Sequence, residues 1–451
     1  MAGLSLALIE RDWIDPLHVA AGLDDVEGRL ILLSDGGPNA RWSYVAAEPT
    51  RVERVPRAAP GPFDRIGALL GERAVTPPGA PPFTGGVVGL ASYDLDAPEA
   101  TLGGDDQDWP GLTLARHDAV LAFDHHHRRV IAAGRGEDPE RAAHAADRAL
   151  RWLAGARTPA PAPAPLADAF TSERPAQAYR DAVADVVRRI AAGEIFQANI
   201  ARAWTGMLAE SAEPFDLFVR LAGASPAPYA AFWELGDHVL ASNSPESFLS
   251  VRDGRITARP IKGTRPRGST PQEDAALKAE LLASAKDRAE NLMIVDLMRN
   301  DLSRVCTPGS VTAPDLFRLE TFANVHHLVS TVQGRLAPDM GSAEVMSATF
   351  PPGSITGAPK HQAMQVIACH EAARGPWCGS LFLAGFDGSL EASVLIRTVA
   401  LRRAADGWRF RTLAGAGIVA DSDPDAELAE TDAKIASIRH ALMDHPAPWT
   451  L

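Results

Sequence analysis

A single lysine stands in a stiff stretch, Arg259-Pro260-Ile261-Lys262-Gly263-Thr264-Arg265-Pro266-Arg267-Gly268. The prolines fix φ and remove backbone donors, and Gly263 permits a conformation or a close approach that a side chain would forbid. An amine held on such backbone is a candidate nucleophile once it is neutral; the alternative is a surface lysine in a basic turn with Arg259, Arg265 and Arg267. Two pairs of acids share one spacing, Asp287 with Glu290 and Glu427 with Glu430, each at i, i+3. On a helix each pair occupies one face. Four carboxylates brought together would repel unless a hard divalent cation such as Mg²⁺ lay among them; taken singly, the pairs are solvated helix faces. Glu246, in Ser244-Pro245-Glu246, follows one apolar run and precedes another. A carboxyl there has a raised pKa and serves as an acid near neutrality, unless it is a plain turn carboxylate. His327, in Val325-His326-His327-Leu328-Val329-Ser330, is either a hydrogen-bonded core residue or an active-site group. The run Phe350-Pro351-Pro352-Gly353-Ser354-Ile355-Thr356-Gly357-Ala358-Pro359-Lys360 offers amides and hydroxyls to an anion where a helix opens at Pro359. Arg397, in Leu395-Ile396-Arg397-Thr398, reads as a charge inside an apolar strand, costly unless paired.

These groups need elements to hold them. Leu30-Ile31-Leu32-Leu33 and Trp42-Ser43-Tyr44-Val45 read as strands joined by a polar turn over 34–39. The segment from Gly85 to Asp94 reads as a Gly-rich buried strand entering a loop, and without a following Lys-Ser/Thr it is no phosphate loop. His125-His126-His127 reads as a hairpin tip, because neighbours in an extended chain point to opposite sides and do not face one metal together. An Ala-rich helix over 137–154 precedes Thr158-Pro159-Ala160-Pro161-Ala162-Pro163-Ala164-Pro165, whose alternating prolines read as a stiff connector. Tyr179, Val183, Val186, Val187 and Ile190 recur at helical spacing, with Gly193 as the stop. A strand is expected over 195–204 and one helix from about 272 to 300. Gly415-Ala416-Gly417 lacks the third glycine of a dinucleotide loop and reads as strand-end backbone near a ligand.

The chain of 451 residues, 46% hydrophobic and 22% charged, has ample apolar material for a large core. A formal charge of -13 argues against nucleic acid or anionic membrane as a general partner. Cys306, Cys369 and Cys378, with no Cys-x-x-Cys, indicate neither a disulfide framework nor a zinc site. Residues 1–15 lack the apolar core of a signal peptide, and no run approaches the roughly 18 apolar residues of a membrane span. A cytoplasmic enzyme is the expectation.

Together these strings resemble the chorismate-utilising enzymes. Pro260-Ile261-Lys262-Gly263-Thr264 is similar to the signature of one branch, component I of the aminodeoxychorismate synthases; component I of the anthranilate synthases typically carries Ala at the Lys position. Trp377-Cys378-Gly379-Ser380 points to the same branch, since anthranilate synthases usually have Tyr at the Trp position. Gln197, in Phe196-Gln197-Ala198-Asn199, stands where isochorismate and salicylate synthases carry a Lys that activates water. Gln is no base at neutral pH, so the resemblance implies ammonia chemistry. It is dense over 174–440 and thinner before, where Leu32-Leu33-Ser34-Asp35 and Arg41-Trp42-Ser43-Tyr44 look like the part of the family in which a tryptophan pocket can lie.

The resemblance implies an α+β fold of two antiparallel β-sheets packed in a sandwich and flanked by helices. Residues 1–155 would form an N-terminal half similar to that of anthranilate synthases, 156–165 a Pro/Ala connector and 166–451 the chorismate-binding catalytic half, all in one intertwined domain. In the family's chemistry Lys262 adds at C2 of chorismate as the C4 hydroxyl leaves with Glu246 as acid. Ammonia then adds at C4 and expels Lys262, giving 4-amino-4-deoxychorismate for p-aminobenzoate and folate synthesis. His327 is carried over as a further active-site residue, and Arg397 as the grip on the enolpyruvyl carboxylate. Thr264, Thr356, Gln197, the backbone of Gly415, Ala416 and Gly417, and Lys434 are implied at the substrate. Mg²⁺ is implied between Glu290 and Glu430 as direct ligands, with Asp287 and Glu427 reaching it through water; Asp287 is shorter than the Glu usual there. A separate glutamine amidotransferase subunit is the expected ammonia source, because none of the three cysteines sits in a Gly-x-Cys-x-Gly elbow. Two other readings stand beside this one: anthranilate synthase component I, making the 2-amino isomer with loss of pyruvate, and a catalytically idle chorismate-binding regulatory subunit.

Overall fold

Short apolar runs bounded by turn residues become strands covered on both faces. Gly86–Ala91 and Ala119–Asp124 are buried along their whole length in the computed structural model, which describes residues 3–34, 40–96, 109–224, 226–322 and 325–444. The twelve-stranded sheet runs, in pairing order, through Ser5–Asp12, Arg129–Gly136, Ala119–Asp124, Trp42–Ala46, Leu30–Leu33, Tyr229–Glu234, His238–Ser244, Thr398–Ala404, Gly407–Ile418, Gln197–Met207 and Gly357–Ala358, with Thr171–Ser172 on Gln197–Met207. The ten-stranded sheet runs through Ile261–Pro266, Val325–Arg335, Arg255–Ala258, Ser247–Arg252, Leu390–Val394, Ser380–Gly385, Gly86–Ala91, Leu112–His117 and Arg51–Val55, with Thr312–Thr321 on Val325–Arg335. Pairing is antiparallel, as in Gln197–Met207 against Gly407–Ile418. This is the α+β sandwich the resemblance implies.

Both sheets take strands from both sides of the 156–165 segment: Leu30–Leu33 pairs with Tyr229–Glu234, and Gly86–Ala91 with Ser380–Gly385. Val45, Leu121, Phe232, Leu240 and Phe410 of the larger sheet pack with Val88, Leu90 and Leu381 of the other in one core. Helix Ala285–Ser303 packs Ile294, Val295 and Met298 into a second core. Helices Ala176–Ala191 and Lys360–His370 cover Gln197–Met207 with a third, through Val183, Val186, Val366 and Ile367. Among the described residues, no helix is long and apolar enough to cross a membrane.

Three details differ from the sequence reading. The helix expected over about 272–300 is two, Pro271–Ala283 and Ala285–Ser303. Ser284 leaves the helical region at ψ 108° and its side chain accepts from the Asp287 amide at 3.2 Å, so it caps a new helix with Asp287 in the first turn. Arg397 is not in a strand: it lies where the chain crosses from Leu390–Val394 in one sheet to Thr398–Ala404 in the other, is exposed, and takes φ 49° to make the crossing. The strand expected over 195–204 starts at Gln197 and runs on to Met207. His125, His126 and His127 lie in the turn between Ala119–Asp124 and Arg129–Gly136, and most of the 34–39 turn falls outside the described residues.

Candidate active site

The edge strand Ile261–Pro266 of the smaller sheet comes up against Gln197–Met207 and Gly407–Ile418 of the larger, with helices Ala285–Ser303 and Pro424–Met443 packed beside them. Gly263 takes φ 91°, and a methyl there would lie 3.0 Å from both Asp287 Cβ and Leu281 Cδ1, so the strand's turn against the helix requires glycine. Gly417 serves the site differently: a methyl there would lie 3.0 Å from Gln197 Nε2 and 3.4 Å from Lys262 Nζ. The amine and the carboxamide thus share the space over a bare stretch of backbone. Ala416 turns the other way and is fully buried in the core with Val183 and Ile367.

Lys262 makes no hydrogen bond or ion pair among the described residues. Burial pushes its pKa down; Glu290 opposes this, Lys434 reinforces it, and Glu246 and Glu430 oppose it. Gln197 is 0% exposed and neither of its side-chain amide atoms has a partner among the described residues. Such a buried carboxamide costs free energy until a water or ligand satisfies it. Glu246 lies between His238–Ser244 and Ser247–Arg252, and its Oε1 accepts from Ser354 Oγ at 2.8 Å. Burial raises its pKa, against the pull of Ser354, Lys262 and Lys434.

His327 stands opposite Thr264 in the pairing of Ile261–Pro266 with Val325–Arg335, with Nδ1 2.9 Å from Thr264 Oγ1. Burial, then Arg397 and His326, push its pKa down to about 4. The Arg397 guanidinium has no hydrogen-bond or ion-pair partner among the described residues. Lys434 Nζ donates to Gly415 O at 2.9 Å and pairs with Glu430 at 2.6 Å. The 350–360 run does not present its hydroxyls freely: Thr356 Oγ1 donates to Pro352 O at 2.8 Å, and Ser354 Oγ is spent on Glu246. A tight turn at 353–355 satisfies its own polar groups first, which the composition of the run did not reveal.

The four acids come from two helices. Burial raises Glu290, opposed by Lys262 and Lys286 and abetted by Asp287 and Glu427; burial also raises Glu427, opposed by its 2.7 Å bond from Ser422 and abetted by Glu430. Asp287 accepts from Arg265 at 3.3 Å, and Glu430 is exposed against Lys434. No three His, Cys, Asp or Glu residues among those described stand close enough to hold one metal ion. The donor chemistry nonetheless fits a hard cation: oxygens that repel across a partly buried gap are stabilised by a divalent charge between them.

Ser354 has a role that its motif does not announce, and the sequence signal for Arg374 and Glu371 is a charge before a Gly-Pro-Trp linker with an acid at i−3. Elsewhere, a cavity of about 450 Å³ between the sheets, lined among others by Ser34, Tyr44, Tyr229, Arg252 and Glu391, shares no residue with the Lys262 site.

Residues 41–440 match the chorismate binding enzyme family, and the chain belongs to it. It is 40% identical over 365 residues to aminodeoxychorismate synthase component 1 of Salmonella typhimurium, a match covering 80% of this chain and 77% of that one. Anthranilate synthase component 1 of Aeropyrum pernix is 38% identical over 346 residues, covering 74% and 72%. Among solved structures, anthranilate synthase component I from Streptococcus pneumoniae TIGR4 superimposes with a TM-score of 0.76 at 28% identity, covering 90% of this chain and 94% of that one. Relatives of both names stand at near-equal identity, so the product has to be argued from the site.

Proposed function

We propose that the chain is component I of an aminodeoxychorismate synthase acting in the cytoplasm, converting chorismate and ammonia to 4-amino-4-deoxychorismate and water. The observation that carries this is Lys262: a half-buried amine with no hydrogen bond or ion pair to a described residue, sharing its space with the unsatisfied carboxamide of Gln197. The neutral amine bonds to C2, the two conjugated ring double bonds each shift by one position toward C4, and the C4–O bond breaks as protonated Glu246 gives its proton to the departing hydroxyl. Ammonia then bonds to C4, both ring double bonds return to their original positions, and the C2–N bond to Lys262 breaks; the new ammonium group returns a proton to Glu246. Arg397 and Lys434 offer positive charge to the substrate carboxylates, Thr264 holds His327 in place, and the amides of Gly415 and Gly417 border the ring. Glu290 and Glu430, with Asp287 and Glu427 behind water, are the residues that would hold Mg²⁺, which supplies positive charge to a substrate oxygen when bound.

Mass analysis of the products formed from chorismate, Mg²⁺ and ammonium tests the reading. The 4-amino product is expected; the 2-amino isomer with pyruvate would replace it by anthranilate synthase, the reading favoured by the Aeropyrum and Streptococcus relatives. Glutamine should support turnover only after a separate amidotransferase subunit is added, and glutamine-driven turnover by the purified chain would remove the partner. An idle regulatory subunit would bind chorismate in a titration and form no product.

A further inference from the structure

We propose that Arg374 is a positioning residue for Glu246, acting through the 353–356 turn. Arg374 is 2% exposed and follows helix Lys360–His370 in the linker to Trp377. Its Nε and Nη2 donate to the two Glu371 oxygens at 2.7 and 2.9 Å, Nη2 also donates to Asn199 O at 2.6 Å, and Nη1 donates to Ile355 O at 3.3 Å. Cζ lies 4.5 Å over the Tyr93 ring and 5.2 Å from the centre of Trp377. Glu371 is itself fixed, accepting from the Ala201 amide at 2.8 Å. A buried ion pair contributes little net stability over well-packed apolar residues, so the reason to keep one is the geometry it imposes.

That geometry joins three pieces of the site. Asn199 O lies on the strand that carries Gln197, and the Asn199 amide in turn donates to Thr356 O at 2.8 Å. Ile355 O belongs to the turn whose Ser354 holds Glu246 at 2.8 Å. Tyr93 ends the Gly-rich segment from Gly85, and the neighbouring Asp94 accepts from the Gly375 amide at 2.7 Å. The Gly85–Asp94 motif, which had no chemistry of its own, thereby braces the arginine. Lysine has neither the planar fork nor enough fixed donors to replace it. With Ile355 O released, Ser354 is free to leave Glu246, which would then face Lys262, Lys434 and the buried Cys378 among the described residues; Arg374 itself faces Glu371, Asp94, Tyr93 and Cys378.

The inference rests on Glu246 as the general acid, and its test keeps the two separable. Chorismate consumption with ammonium and Mg²⁺ is followed against pH in Arg374→Lys, Ser354→Ala and the double variant. Arg374→Lys should lower kcat about a hundredfold with KM little changed, the scale of a roughly 1 Å misplacement. Its alkaline limb should move to higher pH, because Ser354 no longer favours the ionised carboxylate. Ser354→Ala should move that limb the same way, and the double variant should be no slower than the worse single one. Should Arg374→Lys fail to fold, Glu371→Gln carries the same test. Independent, multiplying effects or an unmoved alkaline limb would overturn the positioning role, whereas full activity in Glu246→Gln would remove the acid role beneath it.

Discussion

Removing the Lys262 amine tests the proposed chemistry most directly. The amine makes no hydrogen bond or ion pair among the described residues, so Lys262→Ala breaks none, and affinities for chorismate and Mg²⁺ should stay close to those of the parent. Formation of the 4-amino product should fall at least about 300-fold, or roughly 3.4 kcal/mol at about 1.36 kcal/mol per tenfold, as the covalent route is lost. Alanine also opens the space over Gly417 beside Gln197, so ammonia reaches C2 and residual product shifts toward the 2-amino isomer. The folded-state pKa of Lys262 is depressed, so its stability contribution is present above the unfolded value of about 10.4 and lost as pH falls. At neutral pH the half-buried amine therefore costs folding free energy, and Lys262→Met, which keeps the volume, should melt no lower than the parent. The isomeric products are separated by chromatography and identified against standards, and folding is read by thermal melts. Undiminished 4-amino product from Lys262→Ala would refute the nucleophile.

If Glu290 and Glu430 bind Mg²⁺, Glu430→Gln should raise the Mg²⁺ needed for half-saturation by at least about tenfold, or about 1.4 kcal/mol, in activity and in a fluorescence titration; exposed Glu137→Gln is the control, and equal Mg²⁺ dependence in all three would return the acids to solvated helix faces. His327, pushed by burial down to about 4 from the ordinary histidine value of about 6.5, contributes stability that is present above pH 6.5 and lost as pH falls toward 4. His327→Gln should therefore lose less stability than the parent across that window in urea midpoints, and parallel losses would assign the acid sensitivity elsewhere. Gly417→Ala places a methyl 3.0 Å from Gln197 Nε2 at ordinary φ, so the protein should fold while turnover drops by about a hundredfold; a fully active variant would show that the space over Gly417 is not used.

Much of the fold was readable because its strands are apolar runs punctuated by glycine and proline, as in Leu30–Leu33 and Gly86–Ala91. Pairing partners were not, since antiparallel register over long separations leaves no local trace. The break at Ser284 was available in the Ser-x-x-Asp spacing of a helix cap, overlooked beneath a continuous helical composition. Arg397 misled because apolar neighbours look alike in a strand and in a crossover between sheets. For the candidate site, motif resemblance named Lys262 and Glu246, but the bonds of Thr356 and Arg374 go to backbone carbonyls, and that of Ser354 to a carboxylate distant in sequence, whose directions composition does not encode.

The interleaving of the two sheets has a consequence for biosynthesis. Of the two partners of Gly86–Ala91, Ser380–Gly385 is made almost three hundred residues later, and Gln197 meets Gly417 only when the Gly407–Ile418 strand has been synthesised. Loop closure over such distances is slow and leaves strand edges open in the meantime. A chain ending before Gly407 thus lacks the bare backbone over which Lys262 and Gln197 meet, and one ending before Pro424 lacks Lys434, Glu427 and Glu430, so the candidate chemistry waits for the last strand of the larger sheet and the helix that follows it.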